Sequence, residues 1–251
     1  MSFVLLLRIL VTKDTGHTMK KKLLIIALMG FVLNGCSLLH VEERQTMAIY
    51  ARANAAVVCI HAEEQEPDAF GEIATGTGFL WDAQGHIVTT QHLVSGYKSL
   101  TVNFEDQGTR EADVVSSDNE YDLAVLKLRD TSNLPAPART QSSKDLKIGQ
   151  HVYSISNAFD LGRSFTSGII SALGRNFGDP QTGGISNLIQ TDAAINPGSS
   201  GAPLLDSSGR VIGVNVAIYS LSGGSDGIGF AVPMDVVRQV VPRLISAPNV
   251  L

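Results

Sequence analysis

The sequence predicts an all-β protein, folded as a β-sandwich or a pair of barrels, and two observations carry this prediction. Short apolar runs of strand length recur along the chain, separated by clusters of Gly, Asp, Asn and Ser. About a dozen such runs are typical of sandwiches and barrels. The predicted strands cover residues 55–61, 76–81, 86–90, 99–104, 112–116 and 123–128, then 152–155, 165–172, 187–191, 202–205, 211–218 and 228–232.

One helix is predicted, directly after Pro233. Pro242 lacks a backbone N–H, and we expect it to kink or shorten this helix. Ahead of the first strand, residues 37–54 are mostly polar and predict a short helix or an arm. The apolar residues that share one face of the C-terminal helix are Val236, Val237, Val240, Val241 and Leu244.

Composition and charge restrict the class of protein. With 251 residues, 24 of them Gly and 17% charged, the chain suits one globular unit, or two small barrels sharing an interface, plus a leader. The formal net charge is −5, but the first 35 residues are basic and the remainder carries −9. Such acidity argues against nucleic acid as a partner. There is no phosphate-binding or dinucleotide motif, and the six His do not recur at ligand spacing, so we predict no cofactor and no metal.

Residues 1–35 predict a leader. From Met19, three lysines precede an apolar stretch and then small residues before Cys36, which is the layout of a secretory signal. The sequence LNGC at residues 33–36 also resembles the processing box of bacterial lipoproteins; a plain cleaved signal is the alternative. A lipidated Cys36 would anchor the mature chain facing the periplasm, and Ser37 favours the outer membrane. Residues 1–18 fit no targeting pattern, so we expect translation to start at Met19.

Cys59 is the only other cysteine. A chain lipidated at Cys36 would therefore have no internal disulfide, even in an oxidising compartment. Because Cys59 stands in an apolar run, we expect a buried strand residue and not a reactive thiol.

The most informative stretch is residues 189–218, where a Gly-flanked serine lies between two apolar runs. Gly198 and Gly201 permit backbone angles that other residues avoid, so the turn PGSSG at residues 197–201 can direct several N–H groups to one point. Ser200 beside such groups would be a nucleophile with donors for an oxyanion, as acyl transfer requires. An ordinary Gly/Ser/Pro turn is the alternative interpretation.

A serine nucleophile needs a base, and the base needs an orienting acid. No histidine follows Ser200, which excludes the order Ser, acid, His of the α/β-hydrolases. His92 ends a predicted strand and is the favoured base, while His151 opens another strand and competes with it. Asp122 directly precedes an apolar strand, where a carboxylate needs a partner such as an imidazole N–H. The order His92, Asp122, Ser200 is that of the chymotrypsin-like double β-barrel.

Five segments together resemble the HtrA/Deg family of trypsin-like serine proteases, in the family's order and over about residues 55–245. The resemblance implies His92 as general base, Asp122 as its orienting acid and Ser200 as nucleophile. It implies a backbone oxyanion hole at Gly198 and Ser200, with Ser199 between them. The segments are TGTGFLWDAQGHIVTTQHLV, YDLAVLKL, TSGIISALGR, IQTDAAINPGSSGAPLLDSSGRVIGVNVAI and GIGFAVP.

For the whole chain, the resemblance implies a chymotrypsin-like double β-barrel with a short C-terminal helix. The barrels would cover about residues 55–135 and 145–235 of a protease domain at 55–251, after the leader and an arm at 36–54. The implied function is ATP-independent endopeptidase activity in the bacterial envelope on exposed segments of misfolded proteins, by a homotrimer formed through the arm. The alternative is a protease fold used as a binding or chaperone module, with its oxyanion turn collapsed.

Three features depart from the family's pattern. Ser199 stands where the family usually has Asn, Ala202 where it has Gly, and SNAFD at residues 156–160 where it has GNPFG. Because neither Ser199 nor Ala202 performs the chemistry, we expect activity to survive. We also expect the chain to lack the family's PDZ domain, and therefore expect control by partners or by the Gly-rich loops at residues 176–184 and 220–227.

The resemblance also locates the P1 pocket, which receives the side chain before the cleaved bond. Ala194, six residues before Ser200, would form its floor and Ile228 a wall. Without a carboxylate there, a Lys or Arg side chain would be buried unpaired. We therefore expect cleavage after small aliphatic residues such as Val, Ala or Ile.

Overall fold

Twelve strands in the described part of the chain close into two antiparallel β-barrels. The computed structural model describes residues 41–62, 74–97, 99–105, 107–178 and 184–246. The predicted leader and Cys36 lie outside these residues. The structure separates Met1–Met47 from Ala48–Leu251, and both barrels belong to the second unit.

The first barrel joins its strands in the order β1-β2-β3-β6-β5-β4, and pairing of β1 with β4 closes it. Apolar residues alternate along β1, so that Val58 and Ile60 are buried in the barrel core while Cys59 and His61 are half-buried. The strands are β1 (Val57–Ala62), β2 (Ala74–Leu80), β3 (His86–Thr89), β4 (Ser99–Phe104), β5 (Gly108–Asp118) and β6 (Leu123–Leu128).

The second barrel repeats this architecture in the order β10-β11-β12-β9-β8-β7, closed by pairing of β10 with β7. Its smaller interior cluster includes Val152, Ile170, Leu204 and Ile212. The strands are β7 (His151–Ser156), β8 (Ser164–Phe177), β9 (Ile185–Thr191), β10 (Pro203–Leu205), β11 (Val211–Ile218) and β12 (Gly229–Pro233).

Another core forms where the two barrels and the C-terminal helix meet. Phe79 of β2 and Leu123 of β6 are buried in one cluster with Val214 of β11. The C-terminal helix, Met234–Ser246, adds the face that its 3.6-residue period predicts. Its buried residues are Met234, Val237, Val240, Val241 and Leu244. This core joins elements of both barrels and the helix.

The helices are short. The described residues form three α-helices, α1 (Val41–Ala53), α2 (Gln91–Val94) and α3 (Met234–Ser246). Helix α3 contains Pro242 and continues past it to Ser246, whose hydroxyl donates to the Pro242 carbonyl at 2.8 Å. No helix in the parts of the chain that the structure describes is long and apolar enough to cross a membrane.

The predicted fold class, a chymotrypsin-like double β-barrel with a C-terminal helix, is confirmed. Each predicted strand overlaps an observed one, because short apolar runs separated by turn residues are visible in the sequence. The observed strands differ mainly in length: β5 and β8 extend well beyond the predicted 112–116 and 165–172.

Burial of α3 against the barrels leads to a stability prediction. Met234 is fully buried, whereas Met47 of α1 is 69% exposed. We expect Met234→Ala to lower the free energy of unfolding by about 2–5 kcal/mol, since it leaves a cavity. The matched change Met47→Ala removes the same atoms from a helix surface and should change it by less than about 0.5 kcal/mol. Urea denaturation measures both, and equal losses would contradict the packing described for α3.

Candidate active site

Pairing of β3 with β6 brings His92 and Asp122 together. The two strands are antiparallel, and Thr89 at the end of β3 pairs with Ala124 near the start of β6. The segment after β3 therefore lies beside the segment before β6. Helix α2 begins there at Gln91, whose N–H donates to the Asp122 carbonyl at 3.2 Å.

His92 lies between Asp122 and Ser200. Its Nδ1 is 2.6 Å from Oδ2 of Asp122, and its Nε2 is 2.9 Å from Oγ of Ser200. An ionised carboxylate can only accept hydrogen bonds, so we assign the proton of the neutral imidazole to Nδ1. Nε2 then accepts from the Ser200 hydroxyl, as a general base for this nucleophile must.

Asp122 is held in a fixed orientation. Its other carboxylate oxygen, Oδ1, accepts the backbone N–H of His92 at 2.9 Å. The residue has a left-handed backbone with φ of 53°, which Asp adopts more readily than most residues. Its side chain is 14% exposed, against 49% for His92. The carboxylate therefore faces the imidazole from a largely buried position.

The turn that carries Ser200, at residues 197–201, is held by hydrogen bonds at four of its five carbonyl groups. Four consecutive carbonyl groups, those of residues 197–200, accept hydrogen bonds from groups outside or at the end of the turn. The donors are the Phe159 N–H for Pro197 (2.8 Å), the Thr77 hydroxyl for Gly198 (2.7 Å), the Ala202 N–H for Ser199 (3.1 Å) and the Thr77 N–H for Ser200 (2.9 Å). Since each peptide group is planar, these bonds also set the directions of the N–H groups.

Two N–H groups of the turn remain available for a ligand. The Ser199 N–H donates to the Asn196 carbonyl at 2.8 Å, and the Gly201 N–H donates to the backbone carbonyl of Asn215 at 2.8 Å. Within the described residues, the N–H groups of Gly198 and Ser200 have no acceptor. Of the three residues predicted for the oxyanion hole, Gly198 and Ser200 thus have a free donor, while that of Ser199 is engaged.

Gly198 and Gly201 cannot be replaced without moving the turn. Both have positive φ, 89° and 82°. A Cβ at Gly198 would lie 2.3 Å from the Asn157 carbonyl oxygen, and one at Gly201 would lie 2.1 Å from the Thr77 carbonyl oxygen. The glycines are therefore required by both backbone conformation and contact with neighbouring backbone.

The serine at position 199 is accommodated by a second serine. Ser199 is fully buried, and its hydroxyl donates to Oγ of Ser156 at 2.9 Å. It also accepts the Asn196 N–H at 3.2 Å. The first residue of the SNAFD segment is thus the partner of the residue that precedes the nucleophile.

The rest of the SNAFD segment forms a tight loop that supports the turn. Phe159 and Asp160 both have left-handed backbones, with φ of 55° and 54°. The Asn157 amide donates to Oδ1 of Asp160 at 2.7 Å, and His61 of β1 lies 2.9 Å from the same oxygen. These two hydrogen bonds hold the pKa of Asp160 below its usual range. The loop that supplies the Phe159 N–H is therefore tied to the first barrel.

A cavity of about 270 Å³ opens beside Ser200. No charged side chain lines it. Neither Ala194 nor Ile228, the residues predicted for the P1 pocket, is among its lining residues. Ile195, one position after Ala194, is buried and lies against Gly229, where an added Cβ would be 2.7 Å from its Cδ1. The lining residues are Ile195, Asn196, Pro197, Ser200, Val216, Ala217 and Ile218.

The other candidate residues lie away from Ser200. His151 is exposed at the start of β7 and borders a different cavity, with Asp206 and Arg210. Cys59 is half-buried on β1, more accessible than predicted. Burial raises the pKa of its thiol, and the nearby Arg163 only partly opposes this effect. A thiol with a raised pKa is a weak nucleophile at neutral pH.

Thr77 and the backbone of Phe159 were not predicted as parts of the site. The available signal for Thr77 was a hydroxyl between two glycines, GTG, in an otherwise apolar strand. Nothing in the sequence indicated that Phe159 would contribute its N–H. Among the described residues, no three His, Cys, Asp or Glu side chains are grouped so as to hold a metal ion.

The comparisons with known proteins agree with this geometry. Residues 76–214 match the trypsin-like peptidase domain family. The chain is 43% identical to "Protease Do-like 1, chloroplastic" of Arabidopsis thaliana over 223 residues, covering 86% of this chain and 51% of that protein. It is 39% identical to "Probable periplasmic serine endoprotease DegP-like" of Brucella suis over 189 residues, covering 75% of this chain and 36% of that protein.

Solved structures give the same result. The "HtrA-type protease AlgW with tripeptide" superimposes with a TM-score of 0.73 at 39% identity, covering 80% of this chain and 64% of that one. The present chain spans about half the length of the Arabidopsis relative and about a third of the Brucella one. The residues that match the family, 76–214, include His92, Asp122 and Ser200. The chain belongs to the HtrA family of trypsin-like serine peptidases.

Proposed function

We propose that this chain is an ATP-independent serine endopeptidase acting through an acyl-enzyme. The supporting observation is the alignment of Asp122, His92 and Ser200 beside the free N–H groups of the turn. Oγ of Ser200 attacks the peptide carbonyl and passes its proton to Nε2 of His92. Asp122 keeps the imidazole oriented and stabilises its protonated form, and the N–H groups of Gly198 and Ser200 stabilise the oxyanion.

The second half of the reaction uses the same groups. His92 gives its proton to the leaving amine, and the acyl group remains on Ser200. A water molecule, deprotonated by His92, then attacks the acyl carbonyl. The ester bond to Oγ of Ser200 breaks, His92 returns the proton to Oγ, and the product acid is released. A binding module with a collapsed turn would leave Gly198 or Ser200 without a free N–H, so the open turn favours the enzyme over this alternative.

The triad is tested by comparing Ser200→Ala, His92→Ala and His151→Ala with the wild type. We expect Ser200→Ala to lower kcat on a fluorogenic peptide by about a millionfold, since it removes the nucleophile. His92→Ala should lower it comparably, whereas His151→Ala should retain activity, because His151 lies in a different cavity. Equal activity in wild type and Ser200→Ala would overturn the proposal. Lack of reaction of wild type with a fluorophosphonate, with retained suppression of aggregation, would favour the binding module.

We further propose that the cavity beside Ser200 is the P1 pocket and that Ile195 limits its depth. Its apolar walls offer no partner to a buried ammonium or guanidinium group. The side chain of Ile195 fills the space above Gly229. The pocket therefore suits Val, Ala or Ile, as the sequence predicted, with Ile195 in the position first given to Ala194.

Two isoleucine-to-alanine changes test the pocket. We expect Ile195→Ala to raise kcat/KM for Leu or Phe at P1, relative to Val, by about tenfold, since it deepens an apolar pocket by three carbon atoms. Ile228→Ala removes the same atoms outside the cavity lining and should leave this ratio unchanged. Because both kcat/KM values in a ratio come from the same variant, a difference in stability between variants does not change the ratio. Cleavage of a peptide library after Lys or Arg alone, or a shift only in Ile228→Ala, would contradict the assignment.

We propose unfolded or misfolded envelope proteins as substrates, cut at exposed segments, and a periplasmic location. A bacterial relative is named as periplasmic, while a plant relative is named as chloroplastic, so the location depends on the leader. The sequence MKKKLLIIALMGFVLNGCS at residues 19–37 supports export and lipid attachment at Cys36, with anchoring in the outer membrane. Assembly as a homotrimer through the arm belongs to the same proposal.

Lipid attachment is tested with Cys36→Ala and labelled palmitate in growing cells. We expect label in the wild type and none in Cys36→Ala, which should remain unprocessed, because the thiol is the acceptor. Cys59→Ala is the matched control and should label like the wild type. Equal label in the wild type and in Cys36→Ala, or none in either, would contradict the anchor.

A further inference from the structure

Thr77 is a fully buried polar residue near the centre of β2. The strand belongs to the first barrel, yet every hydrogen bond of the Thr77 hydroxyl goes to the second. The hydroxyl donates to the Gly198 carbonyl at 2.7 Å and accepts the Asn157 N–H at 2.9 Å. One side chain thus contacts both the turn that carries the nucleophile and the loop after β7.

The backbone N–H of Thr77 is bonded to the turn that carries Ser200, and its carbonyl is bonded to Thr89 within the first barrel. Its N–H donates to the Ser200 carbonyl at 2.9 Å, and its carbonyl accepts the Thr89 hydroxyl at 2.7 Å. Thr89 is itself buried, and both its side chain and the Thr77 carbonyl lie where a Cβ on Gly201 would fall. Thr77 therefore has no freedom to exchange these partners for water.

We propose that Thr77 is a positioning residue for the oxyanion donors, an inference that rests on the proposed peptidase function. The Gly198 carbonyl and the Ser199 N–H form one rigid peptide group. The Gly198 N–H lies on one side of that group and the Ser200 N–H on the other. By holding this carbonyl, the Thr77 hydroxyl fixes the angle between the two donors.

Loss of the hydroxyl would leave two buried backbone groups without partners, the Gly198 carbonyl and the Asn157 N–H. An unsatisfied buried group is costly, so the turn would relax by rotation. Rotation of the peptide group moves the donors away from the point where they converge. Because the oxyanion exists only in the transition state, this movement affects kcat more than substrate binding.

Thr191 offers a matched control for the stability effect alone. It is also fully buried; its hydroxyl donates to the Ile169 carbonyl at 2.8 Å and accepts the Ala193 N–H at 3.1 Å. Replacing Thr by Val at either position therefore removes one hydroxyl and leaves one carbonyl and one N–H without their hydrogen-bond partner. Only at position 77 do these groups belong to the turn of Ser200 and its supporting loop.

The experiment measures kcat and KM of Thr77→Val, Thr77→Ser and Thr191→Val on one fluorogenic peptide, at a temperature where melting curves show each to be folded. Deleting an oxyanion donor outright costs about 10²–10³ in kcat. Displacing one should cost less, so we expect kcat of Thr77→Val to fall about 10- to 100-fold below that of Thr191→Val, with KM within about threefold. Thr77→Ser keeps the hydroxyl and should restore kcat to within about threefold of wild type.

Similar kcat values in Thr77→Val and Thr191→Val would overturn the proposal, as would failure of Thr77→Ser to restore kcat. If Thr77→Val does not fold, Thr77→Cys takes its place, since a thiol is a weak donor of similar size. An unchanged kcat in folded Thr77→Cys would overturn the proposal equally. A wild type inactive on peptides and unreactive with a fluorophosphonate would instead refute the peptidase function itself.

Discussion

The peptide groups between Pro197 and Ser200 cannot rotate freely, and the rest of the site depends on this constraint. Their hydrogen-bond partners come from β2, from the loop after β7 and from the chain on either side of the turn. The first of these belongs to one barrel and the others to its partner barrel. Neither barrel alone supplies all of these hydrogen-bond partners, so the proposed oxyanion site depends on the packing of the two barrels.

The residues of the proposed triad also come from both barrels. His92 and Asp122 follow from the β3–β6 pairing of the first barrel, whereas Ser200 lies on a turn of the second. The 2.9 Å contact of His92 with Ser200 therefore crosses between the barrels. Close-packed cores deform little, and the core formed by Phe79, Leu123 and the face of α3 maintains this distance. Burial of apolar side chains remote from these three residues thus supports the geometry that we propose for catalysis.

The sequence predicted what depends on periodicity and chain order. Short apolar runs between turn residues located each strand, and the order His92, Asp122, Ser200, with no histidine after the serine, selected the double barrel. Outside these motif residues, the sequence could not predict contacts between residues distant in the chain. Thr77 and Gly198 are 121 positions apart, and their bond depends on how the barrels pack. Counting back from Ser200 gave Ala194 for the floor of the P1 pocket, whereas the cavity that we propose for P1 is lined by Ile195, because a count of residues does not give the direction of a side chain in a turn.

The departures from the family's pattern show how local chemistry can be kept while residues change. Ser199 and Ser156 stand where the resemblance gives Asn and Gly, and the two serine side chains are in contact with each other. The 2.9 Å bond between them satisfies two buried hydroxyl groups that would each be unfavourable alone. The backbone of the turn takes its shape from hydrogen bonds with Thr77, Phe159 and Asn196. The side chain at position 199 therefore needs only a hydrogen-bond partner, and it does not have to be Asn.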